Sequence, residues 1–216
     1  MKQVSIIGIG LIGGSFALDL KHYFPEVYIT GIDQNQTHLT EAISLGIVDQ
    51  IGSLNSLKTA DLVVLAIPVN AALEVLPQVL NSISDQAVVI DMGSTKEAIC
   101  KIVSTHPKRG QFLATHPIAG TEFSGPSAAI QGLFKNKTNI ICEVEKTSPA
   151  LGETVLTVFK TMGMHLRFMA ANEHDKHIAY VSHLSHISAF MLGKTVIDKE
   201  KNERNIFDMA GSGFES

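Results

Sequence analysis

Along this chain, short and nearly continuous apolar runs alternate with stretches whose apolar residues recur every three or four positions. The runs cover residues 3–8, 27–33, 61–67, 86–92, 111–115 and 138–144, and Leu62-Val63-Val64-Leu65-Ala66-Ile67 is typical of them. Runs of this length without polar alternation suit strands buried on both faces of a parallel sheet. Helical patterns lie between them, for instance over 13–22, 37–45, 71–83 and 96–104. Alternating β and α units predict an α/β fold with a doubly wound, mainly parallel sheet. The pattern changes near residue 170. Met164-His165-Leu166-Arg167-Phe168 reads as an edge strand, 171–198 reads as one long helix, and no strand pattern follows. Two domains are therefore expected, an α/β domain over 1–168 and the start of an α-helical domain over 169–216.

The first strand runs directly into Gly8-Ile9-Gly10-Leu11-Ile12-Gly13, and Asp33 ends the second strand. Strand, G-x-G-x-x-G, helix and a following acid form the dinucleotide fingerprint of a Rossmann-type domain. Gly8 permits the tight turn, Gly10 admits the pyrophosphate, and Gly13 lets helix and strand approach. The helix opening at Leu11 and Ile12 directs its unpaired N–H groups at the phosphates. Asp33 can accept both ribose hydroxyl protons. Its carboxylate repels a 2′-phosphate, and Gln34, Asn35 and Gln36 supply no cation to neutralise one. NAD is expected in preference to NADP.

Composition narrows the partners. The chain has 216 residues, 45% of them hydrophobic and 18% charged, with a formal net charge of −4. That describes an ordinary globular protein, and the absence of a basic run argues against nucleic acid or an anionic membrane surface. No apolar stretch reaches transmembrane length, and the N-terminus enters a strand at once instead of a signal sequence. Cys100 and Cys142 lack metal-ligand spacing and read as free thiols of a cytoplasmic protein.

Three further segments carry chemistry. Val88-Val89-Ile90-Asp91-Met92-Gly93-Ser94-Thr95-Lys96 and Thr115-His116-Pro117-Ile118-Ala119-Gly120-Thr121-Glu122 each follow a strand. Ligands of open α/β sheets sit outside the carboxyl ends of strands, where Ser94 and His116 are expected. A histidine beside a nicotinamide is a natural acceptor for the proton of an alcohol losing hydride, with an unperturbed pKa near ~6.5. Ser94 fits a helix N-cap equally well, because Glu97 completes a capping-box spacing. Glu122 also fits a surface acid. In Tyr180-Val181-Ser182-His183-Leu184-Ser185-His186, His183 and His186 share a helix face. They suit a substrate-facing or interdomain polar pair better than a metal site, since no third ligand is evident. His174 and Asp175 read as capping groups.

Taken together, these segments resemble the prephenate dehydrogenase family. The matching pieces are Gly8 through Ser15, Asp91 through Lys96, His116-Pro117-Ile118-Ala119-Gly120-Thr121-Glu122 and Ser182-His183-Leu184-Ser185-His186, with Gly132-Leu133-Phe134 a weaker one. The resemblance implies NAD(P)-dependent oxidative decarboxylation of prephenate to 4-hydroxyphenylpyruvate, or of arogenate to tyrosine. It implies that His116 takes the proton of the ring hydroxyl, that Ser94 bonds the same hydroxyl or orients His116, and that His186 holds the carboxylate end of the substrate. His183 would neighbour His186, and Glu122 would join the polar network. A homodimer through the helical domain is implied too. In the family an Arg follows Gly-Ser-Gly-Phe. Here Ser216 ends the chain first, so a helical domain cut short is expected. The competing readings are a β-hydroxyacid dehydrogenase-like enzyme, which would use a Lys where this chain carries its His pair, and a non-catalytic NAD-binding fragment.

Overall fold

The computed structural model describes residues 1–183 and, beyond them, Ile187, Phe190, Met191 and Lys194. The chain divides into two compact units, Met1–His174 and Asp175–Ser216. The first contains an eight-stranded sheet. Its strands are β1 (Gln3–Ile7), β2 (Tyr28–Ile32), β3 (Gln50–Ile51), β4 (Leu62–Leu65), β5 (Val88–Asp91), β6 (Phe112–Pro117), β7 (Thr138–Cys142) and β8 (His165–Met169). Their spatial order is β3-β2-β1-β4-β5-β6-β7-β8. The first six in that order run parallel, β7 is antiparallel to β6, and β8 is parallel to β7. The strand order reverses between β1 and β4, which is the switch point where such sheets bind ligands. This is the expected fold, with β7 and β8 at one edge running opposite to the other six strands.

The helices are α1 (Leu11–Tyr23), α2 (Gln36–Ser44), α3 (Val69–Ser82), α4 (Glu97–Ile102), α5 (Pro149–Thr161) and α6 (Ala171–Ile178). Every residue of β4 and of β5 is buried, as their unbroken apolar runs require. Phe16 of α1 meets Phe134 edge-on at 5.8 Å and Phe159 of α5 at 6.2 Å, joining α1, α5 and the approach to β7 in one core. Phe134 belongs to the weaker Gly-Leu-Phe match and is fully buried. No described helix is long and apolar enough to cross a membrane.

The stretch read as one long helix opens as α6 through Ile178, passes through a π-helical turn at Ala179–His183 and is α-helical again at Ile187, Phe190, Met191 and Lys194. The capping box at Ser94 does not form. Helix α4 starts at Glu97 with Lys96 as N-cap and no side-chain cap.

Glycine explains how closely α1 lies on the sheet. Gly8 adopts φ +95°, and a Cβ on Gly13 would run into the Gly8 carbonyl oxygen and come within 3.1 Å of Ala66 Cβ and Ile6 Cγ2. A Cβ on Gly10 meets nothing within 4 Å. Gly13→Ala is expected to cost about 1–3 kcal/mol through overpacking, and Gly10→Ala less than about 1 kcal/mol. Thermal unfolding checks this at roughly 2–4 °C per kcal/mol; equal losses in both variants would contradict the packing described.

Candidate active site

Because β1, β2, β4, β5 and β6 are parallel, their carboxyl ends share one edge, and four loops carrying polar chemistry converge there. At one end, the Asp33 carboxylate closes the glycine turn: Oδ2 accepts from the Ile9 N–H at 2.8 Å, and Oδ1 accepts from the Asn35 N–H at 2.8 Å. An ionised carboxylate offers about four acceptor sites, so each oxygen keeps capacity for a further donor. His38, in the first turn of α2, brings Nδ1 to 3.9 Å from Asp33 Oδ2. Helix α1 has Gly10 as N-cap, no side-chain cap and no acid in its first turn. Its first N–H groups, Leu11 and Ile12 among them, thus have no side-chain cap and are available to an anion. Open space at Gly10, a bare helix N-terminus and a half-used carboxylate fit a dinucleotide.

Three strand steps away, about 14 Å at the usual spacing, lies a second polar cluster, around Asp91 and His116. Asp91, the last residue of β5, is fully buried, as is Lys96, whose ammonium group bonds Asp91 Oδ2. Lys96 Nζ also donates to the Thr115 carbonyl at 2.8 Å. The backbone N–H groups of Gly93 and Thr115 donate to the Asp91 carboxylate at 3.2 Å each, and the Thr115 hydroxyl donates to the Asp91 carbonyl at 2.6 Å. Burial pushes the Asp91 carboxyl up, while Lys96 and the two N–H groups pull it back. The network clamps the ends of β5 and β6 together and fixes the backbone immediately before His116.

His116 is half-buried as the penultimate residue of β6, and its Nδ1 lies 2.8 Å from Nε2 of His174, with the rings edge-to-face at 5.0 Å. His174 is fully buried inside α6. The expectation that it caps a helix is thus corrected: it is the partner of the candidate base. Ser94 is exposed on the β5–α4 turn, and Glu122 is exposed on the loop after β6. No hydrogen bond joins either to His116 among the described residues. His186 lies outside the described residues, as does the side chain of His183.

The chain after His116 also returns to the cofactor helix. The Ile130 N–H donates to Ser15 Oγ at 2.9 Å and the Gly132 N–H to Asp19 Oδ1 at 2.6 Å. A Cβ on Gly14 would sit 2.8 Å from Ala129 Cβ. Burial pushes the Asp19 carboxyl up. Sequence reasoning gave no role to Asp19 or Lys96 and only a capping role to His174. For Asp19 a signal existed, because it lies three residues after Phe16 on the buried face of α1.

Strand, glycine turn and helix, with an acid and an imidazole at the same sheet edge, define a Rossmann-type nucleotide-binding fold. A family model described as prephenate dehydrogenase, nucleotide-binding domain, matches residues 16–168, and one described as prephenate dehydrogenase, dimerization domain, matches 170–216. The chain belongs to the prephenate dehydrogenase family. It is 34% identical to the prephenate dehydrogenase of Lactococcus lactis subsp. cremoris over 99% of its own length, and spans 59% of that relative. It is 30% identical to the cyclohexadienyl dehydrogenase of Zymomonas mobilis, covering 94% of this chain and 70% of that one. Among solved structures, prephenate dehydrogenase from A. aeolicus in complex with hydroxyphenyl propionate and NAD+ superposes with a TM-score of 0.88 at 32% identity. That match covers 100% of this chain and 76% of the other.

Lys96→Met would leave the buried Asp91 carboxylate without its cation, at a cost of roughly 3–5 kcal/mol near neutral pH. Its folded state then favours protonated Asp91 more strongly, so stability falls as pH rises above the unfolded carboxyl pKa of ~3.9. The destabilisation should therefore shrink as pH is lowered from 8 toward ~4. Denaturant titrations at several pH values check the sign; a deficit independent of pH would contradict it.

Proposed function

We propose that the protein catalyses the NAD-dependent oxidative decarboxylation of prephenate to 4-hydroxyphenylpyruvate, or of arogenate to tyrosine. The observation that carries this reading is His116, an imidazole held by a buried network at the sheet edge that also bears the dinucleotide fingerprint. Membership of the family supports it, as does the similarity to a structure holding NAD+ and a hydroxyphenyl ligand. NAD is preferred to NADP because Asp33 repels a 2′-phosphate, and its ion-pair neighbour among the described residues is a histidine, not an Arg or Lys.

When bound, the nicotinamide supplies a hydride acceptor. His116 takes the proton of the ring hydroxyl as the carbon that bears it loses hydride. The bond to the ring carboxylate then breaks, its electron pair aromatises the ring, and CO2 leaves. The ring oxygen, now a phenolate, takes the proton back from His116. Ser94 bonds the same hydroxyl or orients His116. His186 holds the carboxylate end of the substrate, with His183 beside it and Glu122 in the surrounding polar network. Residues 1–168 bind the dinucleotide, and 169–216 belong to a helical part through which two copies pair.

The deciding experiment follows NAD reduction with prephenate and arogenate side by side. Reduction with at least one supports the assignment, and NAD binding without reduction by either overturns it. His116→Ala should lower kcat by at least ~10²-fold and leave the NAD dissociation constant nearly unchanged; a parallel loss of NAD affinity would make His116 structural. Asp33→Asn should weaken NAD by about 10-fold, as loss of a charged hydrogen bond does, and narrow the preference over NADP. Unchanged selectivity would remove Asp33 from the ribose.

A further inference from the structure

His116 and His174 form the one pair of imidazoles in ring-to-ring contact among the described residues, and their arrangement bears on how the base works. At 2.8 Å, Nδ1 of His116 and Nε2 of His174 share one hydrogen. Two N–H groups cannot face each other at that distance, so one ring donates and the other accepts. If His174 donated, neutral His116 would carry its proton on Nε2 and have no lone pair there to offer. If His116 donates, its lone pair is on Nε2, and His174 is the neutral acceptor. Burial keeps His174 neutral in either arrangement, since a cationic ring wholly inside the protein is costly; the second arrangement is the one that leaves Nε2 of His116 able to take a proton, as the reaction proposed above requires.

We infer that His174 is the positioning residue of the site: it accepts the Nδ1–H of His116 and so fixes the tautomer in which Nε2 is the base. The inference rests on the reaction proposed above and deepens it. Helix α6 brings the acceptor to the site. Strand β8 ends at Met169, level with Cys142 of β7 and Ala114 of β6, and the turn at Ala170 sends α6 back so that His174 meets His116.

A neutral acceptor suits the proton balance. In the proposed reaction, hydride leaves with its electron pair, CO2 leaves without its own, and the proton that His116 removes from the hydroxyl returns to the same oxygen. No proton is released overall. His116 must therefore become cationic briefly and then give the proton up. Its Nδ1–H bond to His174 strengthens when His116 is charged, which helps the first half. An anionic carboxylate in place of His174 would favour the charged ring further and hinder the return.

Nitrogen-15 NMR of histidine-labelled protein, with the His116 signals assigned through His116→Gln, reads the tautomer directly. The wild type should show His116 protonated on Nδ1 and bare on Nε2. His174→Phe, similar in size but without an acceptor, should lose that preference and lower kcat by roughly 10²-fold, the scale of general-base catalysis. Its KM for substrate and its affinity for NAD should stay within a few-fold of wild type. His174→Gln, whose side-chain carbonyl can accept the Nδ1–H, should recover the tautomer and most of kcat. His116 protonated on Nε2 in the wild type would overturn the inference. So would a His174→Phe protein that keeps both tautomer and kcat, or one that loses kcat with the tautomer intact, which would make His174 a packing residue. The expected tautomer in a protein that reduces NAD with neither prephenate nor arogenate would uphold the pairing and overturn the reaction assigned to it.

Discussion

The buried pair of Asp91 and Lys96 is the contact on which the sheet edge around His116 depends. A carboxylate and an ammonium removed from water each lose hydration worth several kcal/mol, and their attraction recovers it only where further hydrogen bonds use the remaining valences. Here they do: Lys96 reaches the Thr115 carbonyl, and Asp91 collects the N–H groups of Gly93 and Thr115. The pair joins two adjacent strands and the turn between β5 and α4 at one point. Apolar residues of similar volume could fill the space, but they would leave those backbone groups without partners. The ion pair thus secures the geometry of a loop and of the strand end carrying His116.

Helix α1 has a comparable double duty. One side carries the close approach of Gly13 to the first strand, and its N-terminus offers an anion site. Further along, Gly14, Ser15 and Asp19 receive the backbone of residues 129–132, which lie downstream of His116 in the chain. The glycine turn and the segment that follows His116 therefore share one rigid element. The Phe16–Phe134 contact then buries the end of that returning segment in the core.

Much of this was readable from residue pattern, and the exceptions have identifiable causes. Strands buried on both faces announce themselves as apolar runs, so β1, β2, β4, β5, β6 and β7 were recognisable; β3, two exposed residues long, leaves no such trace. The fingerprint placed Gly8, Gly10, Gly13 and Asp33 because it is contiguous and local. At Ser94 local propensity suggested a cap, but tertiary structure prevailed: Lys96 turns inward to Asp91, and the helix begins two residues later than a Ser94 cap requires. The direction of β7 was hidden, since the apolar run does not encode which way it travels. His174 could not be found by spacing at all. It lies 58 residues from its partner, in a polar helix turn whose only sequence signal was that of a cap.

The double use of α1 also limits how far the nucleotide-binding segment can be treated as a module. In an isolated dinucleotide motif, the position after the third glycine answers only to helix propensity, and many side chains serve. In this protein Gly14 lies 2.8 Å, measured from an added Cβ, from Ala129, so that position answers to a loop more than a hundred residues away. A glycine-rich turn and helix transplanted from another dinucleotide enzyme to alter cofactor choice would bring the right phosphate contacts and the wrong surface for the returning loop. Under the proposed ribose role of Asp33, redesign of cofactor choice has its freedom around Asp33 and its neighbour His38, while the helix itself must be inherited together with the loop that rests on it.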